Sequence, residues 1–247
     1  MNSFIPWIGG KKLLRKQIIS MFPDDVPDRY IEVFGGAGWV LFGKDVYSKQ
    51  LEVFNDINSQ LINLYRCVKY HDEELRRELD FLLLSREQFN DFKEQINVNG
   101  LTDIQRAARY YYLVRASYGA SCDTFGCSKK NISSDMLNGV KKRLERVIIE
   151  NKNYDNLIKV YDREKALFYC DPPYHKTEHY YQDAFTEQDH IHLRDCLAGI
   201  KGKFILSYND DEFIRDLYIG FNIYPVERSN NLDKARGTFK ELIITNY

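Results

Sequence analysis

The sequence predicts an α/β protein, a largely parallel seven-stranded sheet flanked by helices and carrying one helical insertion. Three observations lead there. Short β-rich runs bounded by turn residues recur along the chain, helical patterns lie between most of them, and the interval from Ile57 to Arg146 holds helical patterns with no convincing strand.

The runs, in order, are YIEVF (30–34), LEVF (51–54), VIIE (147–150), ALFYC (166–170), KFILS (203–207), FNIYPV (221–226) and ELIITNY (241–247). Helices are expected after Gly38, from Asn58 to Tyr70 and from Glu187 to Leu197. In the last of these, TEQD offers Thr186 as N-cap with Asp189 three residues on. Inside the long interval, DEELRRELDFLLL, REQFNDFKEQI and DIQRAARYYYLVRASY each read as helix. With no internal repeat or low-complexity linker, this stretch is expected to pack on the sheet. The division is residues 1–56 with 147–247 as one domain and 57–146 as its insertion.

A chain of 247 residues buries a sizeable core, and its 44% hydrophobic and 29% charged content is ordinary for a globular protein. No stretch approaches the ~18–20 apolar residues of a membrane span, and the first residues, MNSFIPWIGGKK, lack a signal pattern, so a cytoplasmic location is expected. Five cysteines, an odd number without a CxxC pair, suggest free thiols rather than a disulfide framework or a zinc site. The histidines of HIH (His190, His192) stand two apart, a spacing that does not converge on a helix, so no metal is expected. The net charge of −1 conceals a basic stretch: between Leu101 and Ile148, nine Lys or Arg face four acids, a local +5. Such a run is either a solvated helix face or, where contiguous in space, a footprint for nucleic acid.

Two motifs carry chemistry. In YIEVFGGAGWVLF an apolar run enters Gly35, Gly36 and Gly38 and then a helical pattern, which lets a ligand approach the backbone closely. About 20 residues on, Asp56 ends the next strand, where an acid can accept hydrogen bonds from both hydroxyls of a ribose; it could also cap the helix that follows. A nucleoside-containing cofactor is the better reading of the pair. The second motif is DPPY. Pro172 and Pro173 cannot donate to a ladder, so Asp171 and Tyr174 are held out in a rigid frame at a strand exit. An exocyclic amine on a nucleobase is a poor nucleophile because its lone pair is delocalised into the ring. Asp171 and the Pro172 carbonyl could accept from both its N–H groups, and the carboxylate would stabilise positive charge developing on nitrogen. Tyr174 would stack on an extruded base, and phenylalanine should largely substitute for it.

PWIGGKKLL (6–14), VFGGAGWVLF (33–42), NDINSQLINLY (55–65), DPPY (171–174), FTEQDHIHL (185–193) and the final ELIITNY stand in the order seen in Dam-like, D12 class, DNA adenine-N6 methyltransferases. The chain resembles that family over nearly its whole length. The resemblance implies a methyltransferase Rossmann-like sheet, S-adenosylmethionine as methyl donor and a helical target-recognition insertion. It implies that Trp7, Lys11, Phe34, Asp56, Ile57 and Asp171 line the donor site, with the turn at Gly35, Gly36 and Gly38 beside its methionine end. Asp171, Pro172, Pro173 and Tyr174 would be catalytic, acting on a flipped adenine in double-stranded DNA. In the insertion, Arg115, Tyr118, Lys129 and Lys130 are the expected DNA contacts, arginine for guanine edges and lysines for phosphates. Members that methylate GATC typically carry a longer hairpin rich in Arg, Asn, Phe and Tyr than RASYGASCDTFGCSKKNIS, so the resemblance leaves the target sequence open. A monomer in solution is expected. The alternatives are cytosine-N4 methylation, which the same amine chemistry permits, and an inactive DNA-binding relic.

Overall fold

A computed structural model of the chain describes residues 1–126, 132–176, 185–229 and 238–247. Seven strands form one sheet, each where the sequence places it: β1 (Arg29–Glu32), β2 (Leu51–Asn55), β3 (Val147–Glu150), β4 (Ala166–Cys170), β5 (Lys203–Asn209), β6 (Asn222–Ser229) and β7 (Thr238–Thr245). Their spatial order is β3-β2-β1-β4-β5-β7-β6. Pairing is parallel from β3 to β5, and β7 runs antiparallel to both of its neighbours. Pro225 is tolerated because β6 is an edge strand. The order reverses between β1 and β4, and a crevice opens beyond the carboxyl ends of those two strands.

The helices are α1 (Arg15–Ser20), α2 (Trp39–Gly43), α3 (Ser59–Tyr70), α4 (Asp72–Asp80), α5 (Arg86–Glu94), α6 (Asp103–Ala116), α7 (Val140–Leu144), α8 (Tyr154–Tyr161), α9 (Glu187–Ala198) and α10 (Glu212–Leu217). They cover the sheet on both faces, so its central strands are largely apolar and their few polar side chains, such as Glu32, Glu52 and Ser207, are buried. In β4 every residue is buried: Leu167 and Tyr169 enter a core with Ile18, Val40, Leu61 and Ala107, while Phe168 and Cys170 enter one with Leu157, Leu193 and Ile214. The Thr186 side chain accepts from the Asp189 N–H and Asp189 returns a bond to the Thr186 N–H, the capping box expected from TEQD. Asp56 does not cap the next helix. Asn58 does, accepting from the Leu61 N–H at 3.0 Å.

The described residues between β2 and β3 are helical apart from one isolated bridge, Ser117 to Phe125. Leu61, Tyr65, Tyr111 and Val114 share a core with Tyr30 and Phe54 of the sheet, so α3 and α6 pack on it as expected, while Phe89, Phe92, Tyr112 and Leu113 form a smaller core farther out. Among the described residues, no helix is long and apolar enough to cross a membrane.

Candidate active site

The first wall of the crevice is the turn after β1. A Cβ on Gly35 would stand 2.4 Å from the Phe54 ring, so only glycine lets the turn lie against β2. Gly36 has φ +49° and its Cβ would meet the Trp7 indole nitrogen at 2.7 Å, which seats Trp7 over the turn. The Gly36 N–H donates to Asp56 Oδ2 at 2.8 Å and the Asn58 N–H to Oδ1 at 2.9 Å. Two backbone donors thus fix the Asp56 carboxylate where it lines the cavity. Phe34 packs against Tyr154 and Phe185, with ring centroids 5.7 and 6.0 Å away, and Ile57 stands exposed at the rim.

The second wall follows β4. Lys11 Nζ lies 2.8 Å from Asp171 Oδ1, and the Ser207 hydroxyl of β5 donates to the same oxygen at 2.9 Å. Oδ1 is therefore engaged twice, which fixes the carboxylate where it lines the cavity. Lys11 also donates to the Gly9 carbonyl at 2.8 Å and sits 4.6 Å from the centre of the Tyr174 ring. Burial pushes the Asp171 carboxyl above its ordinary range, opposed chiefly by the Lys11 charge. The Tyr174 hydroxyl is raised well above the usual phenol range by burial, reinforced by the charges of Asp171 and Glu241.

Between the walls lies Glu32, an acid in an apolar strand. Its Oε2 accepts from the Tyr30 hydroxyl at 2.7 Å and from the Leu41 N–H at 2.8 Å. Burial pushes its carboxyl up to about 8, although both hydrogen bonds favour the charged form. At neutral pH the folded protein holds a proton there that the unfolded chain releases above its carboxyl range. This group's contribution to stability is complete below the ordinary carboxyl value of 4.5 and is lost as pH rises toward about 8. Glu32→Gln, whose amide oxygen accepts both bonds, is expected to flatten that slope and leave the protein up to a few kcal/mol more stable than wild type near pH 8. Denaturant midpoints measured from pH 5 to 8.5 check this; parallel curves for the two proteins would refute it.

Trp7, Lys11, Phe34, Gly35, Gly36, Gly38, Asp56, Ile57, Asp171 and Pro173 line one cavity. Pro172 and Tyr174 stand behind the lining: Pro172 is buried, and Tyr174 meets Lys11 and Glu241. Glu32, Tyr110, Lys152, Asn153, Tyr154, Phe185 and Asp189 also line it without having been expected. So do Ala120, Ser121 and Cys122 of the turn closed by the Ser117 to Phe125 bridge. Ala120 and Cys122 have φ +64° and +59°, left-handed values costly for residues with a side chain. Burial pushes the Cys122 thiol up to about 12, so it is inert at neutral pH.

Of the expected DNA contacts, Tyr118 is 72% exposed beside that turn. Arg115 is half-buried; its Nη1 donates to the Phe4 carbonyl at 3.0 Å and its guanidinium lies over the Tyr111 ring, tying α6 to the N-terminal segment. Lys129 and Lys130 lie outside the described residues.

A model of the D12 class N6 adenine-specific DNA methyltransferase family matches residues 7–232. The type II methyltransferase M1.LlaDCHI of Lactococcus lactis subsp. cremoris is 30% identical, the match covering 100% of this chain and 96% of that protein. The type II methyltransferase M.MjaIII of Methanocaldococcus jannaschii is 29% identical over 100% of this chain and 99% of its own length. The DNA adenine methylase of Escherichia coli K12 is 25% identical, with 98% and 92% covered.

Proposed function

The chain belongs to the D12 class of N6 adenine-specific DNA methyltransferases, and from that premise we propose how its residues divide the work and that S-adenosylmethionine is the donor. The residues present suit that donor. A glycine turn that tolerates no Cβ lies beside Asp56, whose carboxylate is pre-oriented for a ribose diol, and the aromatic wall of Phe34 and Tyr154 suits an adenine. Lys11 suits the donor's carboxylate. When bound, the donor supplies a methyl group on a sulfonium sulfur, which departs as a neutral thioether.

The observation that carries this reading is Asp171, which lines the cavity one strand from the glycine turn with its Oδ1 held by Lys11 and Ser207. Asp171 Oδ2 and the Pro172 carbonyl accept the two N–H bonds of a flipped adenine's amine, leaving its lone pair to attack the methyl. The carboxylate stabilises the positive charge arriving on nitrogen as the N–C bond forms and the C–S bond breaks, and the surplus amine proton then leaves through Asp171 to water, giving the neutral methylamine. Tyr174 holds the extruded base, and residues 57–146 choose the site on double-stranded DNA, with Tyr118 beside the cavity mouth. The protein works as a monomer in the cytoplasm.

Base-resolved sequencing and nucleoside mass spectrometry of DNA from cells expressing the protein test this. N6-methyladenine within one short recurring sequence is expected; N4-methylcytosine, or no modified base, would overturn the reading. Replacing Lys129 and Lys130 with alanine is expected to weaken binding to cognate and unrelated duplexes alike. The slope of log affinity against log salt should fall by about 0.9 for each phosphate that is no longer neutralised, with site preference kept. A salt titration on both duplexes checks it.

A further inference from the structure

We propose that Glu241 is a positioning residue for the methyl transfer, fixing the Tyr174 ring in the plane that receives the extruded base. This rests on the base-holding role given to Tyr174 above. Glu241 stands in β7 among the buried Leu242, Ile243 and Ile244 and is itself fully buried. A carboxylate in such surroundings is costly unless it is paired and hydrogen-bonded. Its Oε2 accepts from the Tyr174 hydroxyl at 2.5 Å and lies 3.9 Å from Lys11 Nζ. Strand order explains the meeting: β7 is antiparallel to β5, so its early residues reach the carboxyl end of the parallel strands, with Glu241 opposite Asn209 and Ile243 opposite Ser207. Adjacent strands therefore hold the two ends of DPPY, Ser207 the acid and Glu241 the tyrosine.

A ring needed only for packing requires no such bond. Pinned at its hydroxyl, with the Lys11 ammonium 4.6 Å from its centroid and Tyr208 tilted against it at 5.9 Å, the Tyr174 ring is ordered before any base arrives. The ordering cost then falls on folding rather than on base capture. This alters what Tyr174→Phe should do. Phenylalanine retains the stacking face but removes the donor from Glu241, so it does not simply substitute.

The test is a double-mutant cycle of Tyr174→Phe and Glu241→Leu, which removes the acceptor, read on duplexes whose target adenine is paired or faces an abasic site, and on duplexes carrying 2-aminopurine at the target. Each single change is expected to lower kcat/KM on the paired target about 5- to 20-fold, the lower part of what base–aromatic stacking supplies. On the abasic partner, where extrusion is cheap, the loss should shrink to about 2- to 3-fold. The double variant should match the worse single variant, because both break one bond. Thermal unfolding separates this from damage to the fold: equal losses on both targets in step with a lowered Tm, or losses that multiply in the double variant, would overturn the proposal. So would a Glu241→Leu variant that behaves as wild type. The 2-aminopurine arm needs no turnover. If wild type forms no N6-methyladenine, the proposed function fails, and the cycle is still decided by fluorescence: an extrusion signal weakened equally by both changes supports Glu241, and no signal in wild type sinks it.

Discussion

Asp171→Asn is expected to lower the methyl-transfer rate by ~10²-fold or more at saturating donor, the scale seen when one preorganised electrostatic partner is removed. Asparagine suits the test better than alanine, because its carbonyl can still accept from Ser207 and Lys11 at the position of Oδ1. Alanine would strand the Lys11 ammonium, buried in the protein, with Glu241 at 3.9 Å as its remaining carboxylate. The asparagine variant should therefore keep Tm near the wild-type value while losing turnover. It would present an amide where the adenine amine needs a charge, and the positive nitrogen of the transition state would meet a dipole instead of an anion. Donor affinity is measured separately by calorimetry, since Asp171 borders the donor site as well. Single-turnover rates within a few-fold of wild type would remove Asp171 from the chemistry.

Much of this was legible in the sequence, for a physical reason. Parallel strands buried on both faces are written as short apolar runs, and these five, like the antiparallel β6 and β7, stand where the β-rich runs are. The glycine turn, Asp56 and DPPY were legible because each is local: the spacing that defines it also places it at a strand end. What could not be read depends on strand order. Nothing in ELIITNY says that its glutamate will stand beside Tyr174, because that follows from β7 lying antiparallel next to β5. Ser207 reaches Asp171 because β5 lies parallel beside β4, which is equally invisible in the sequence. Glu32 was visible as an acid inside YIEVF, but its protonation depends on how deeply the sheet buries it. The bond from Arg115 to the Phe4 carbonyl, 111 residues away, likewise follows from the fold and from nothing local in the sequence.

Arg143→Ala is expected to cost about 3 kcal/mol of stability, the low end of what breaking a buried ion pair costs, because Lys44 remains on the same carboxylate. Arg143 leaves α7 at the close of the insertion and grips Glu52 of β2 with both terminal nitrogens, at 2.7 and 2.8 Å. Lys44 Nζ reaches the same carboxylate at 2.5 Å. Burial alone would raise the Glu52 carboxyl, yet hydrogen bonds from Arg143 and Lys44 hold it below its ordinary range. The stability this gives is present above the ordinary carboxyl value of 4.5 and is lost as pH falls through the depressed value in the folded protein, so the penalty of the substitution should shrink in acid. The consequence reaches the site, because the same guanidinium donates to the Leu41 carbonyl at 2.7 Å, and Leu41 also donates its N–H to Glu32. Leu41 lies in α2, the helix that the glycine turn opens. A loosened α2 should weaken donor binding several-fold, while Arg143→Lys, which keeps one charge but not the fork, should fall between. Chemical denaturation at pH 7 and pH 4 with donor calorimetry measures both effects. A destabilisation under about 1 kcal/mol would mean that the exposed-pair scale applies instead and that α7 does not brace the turn.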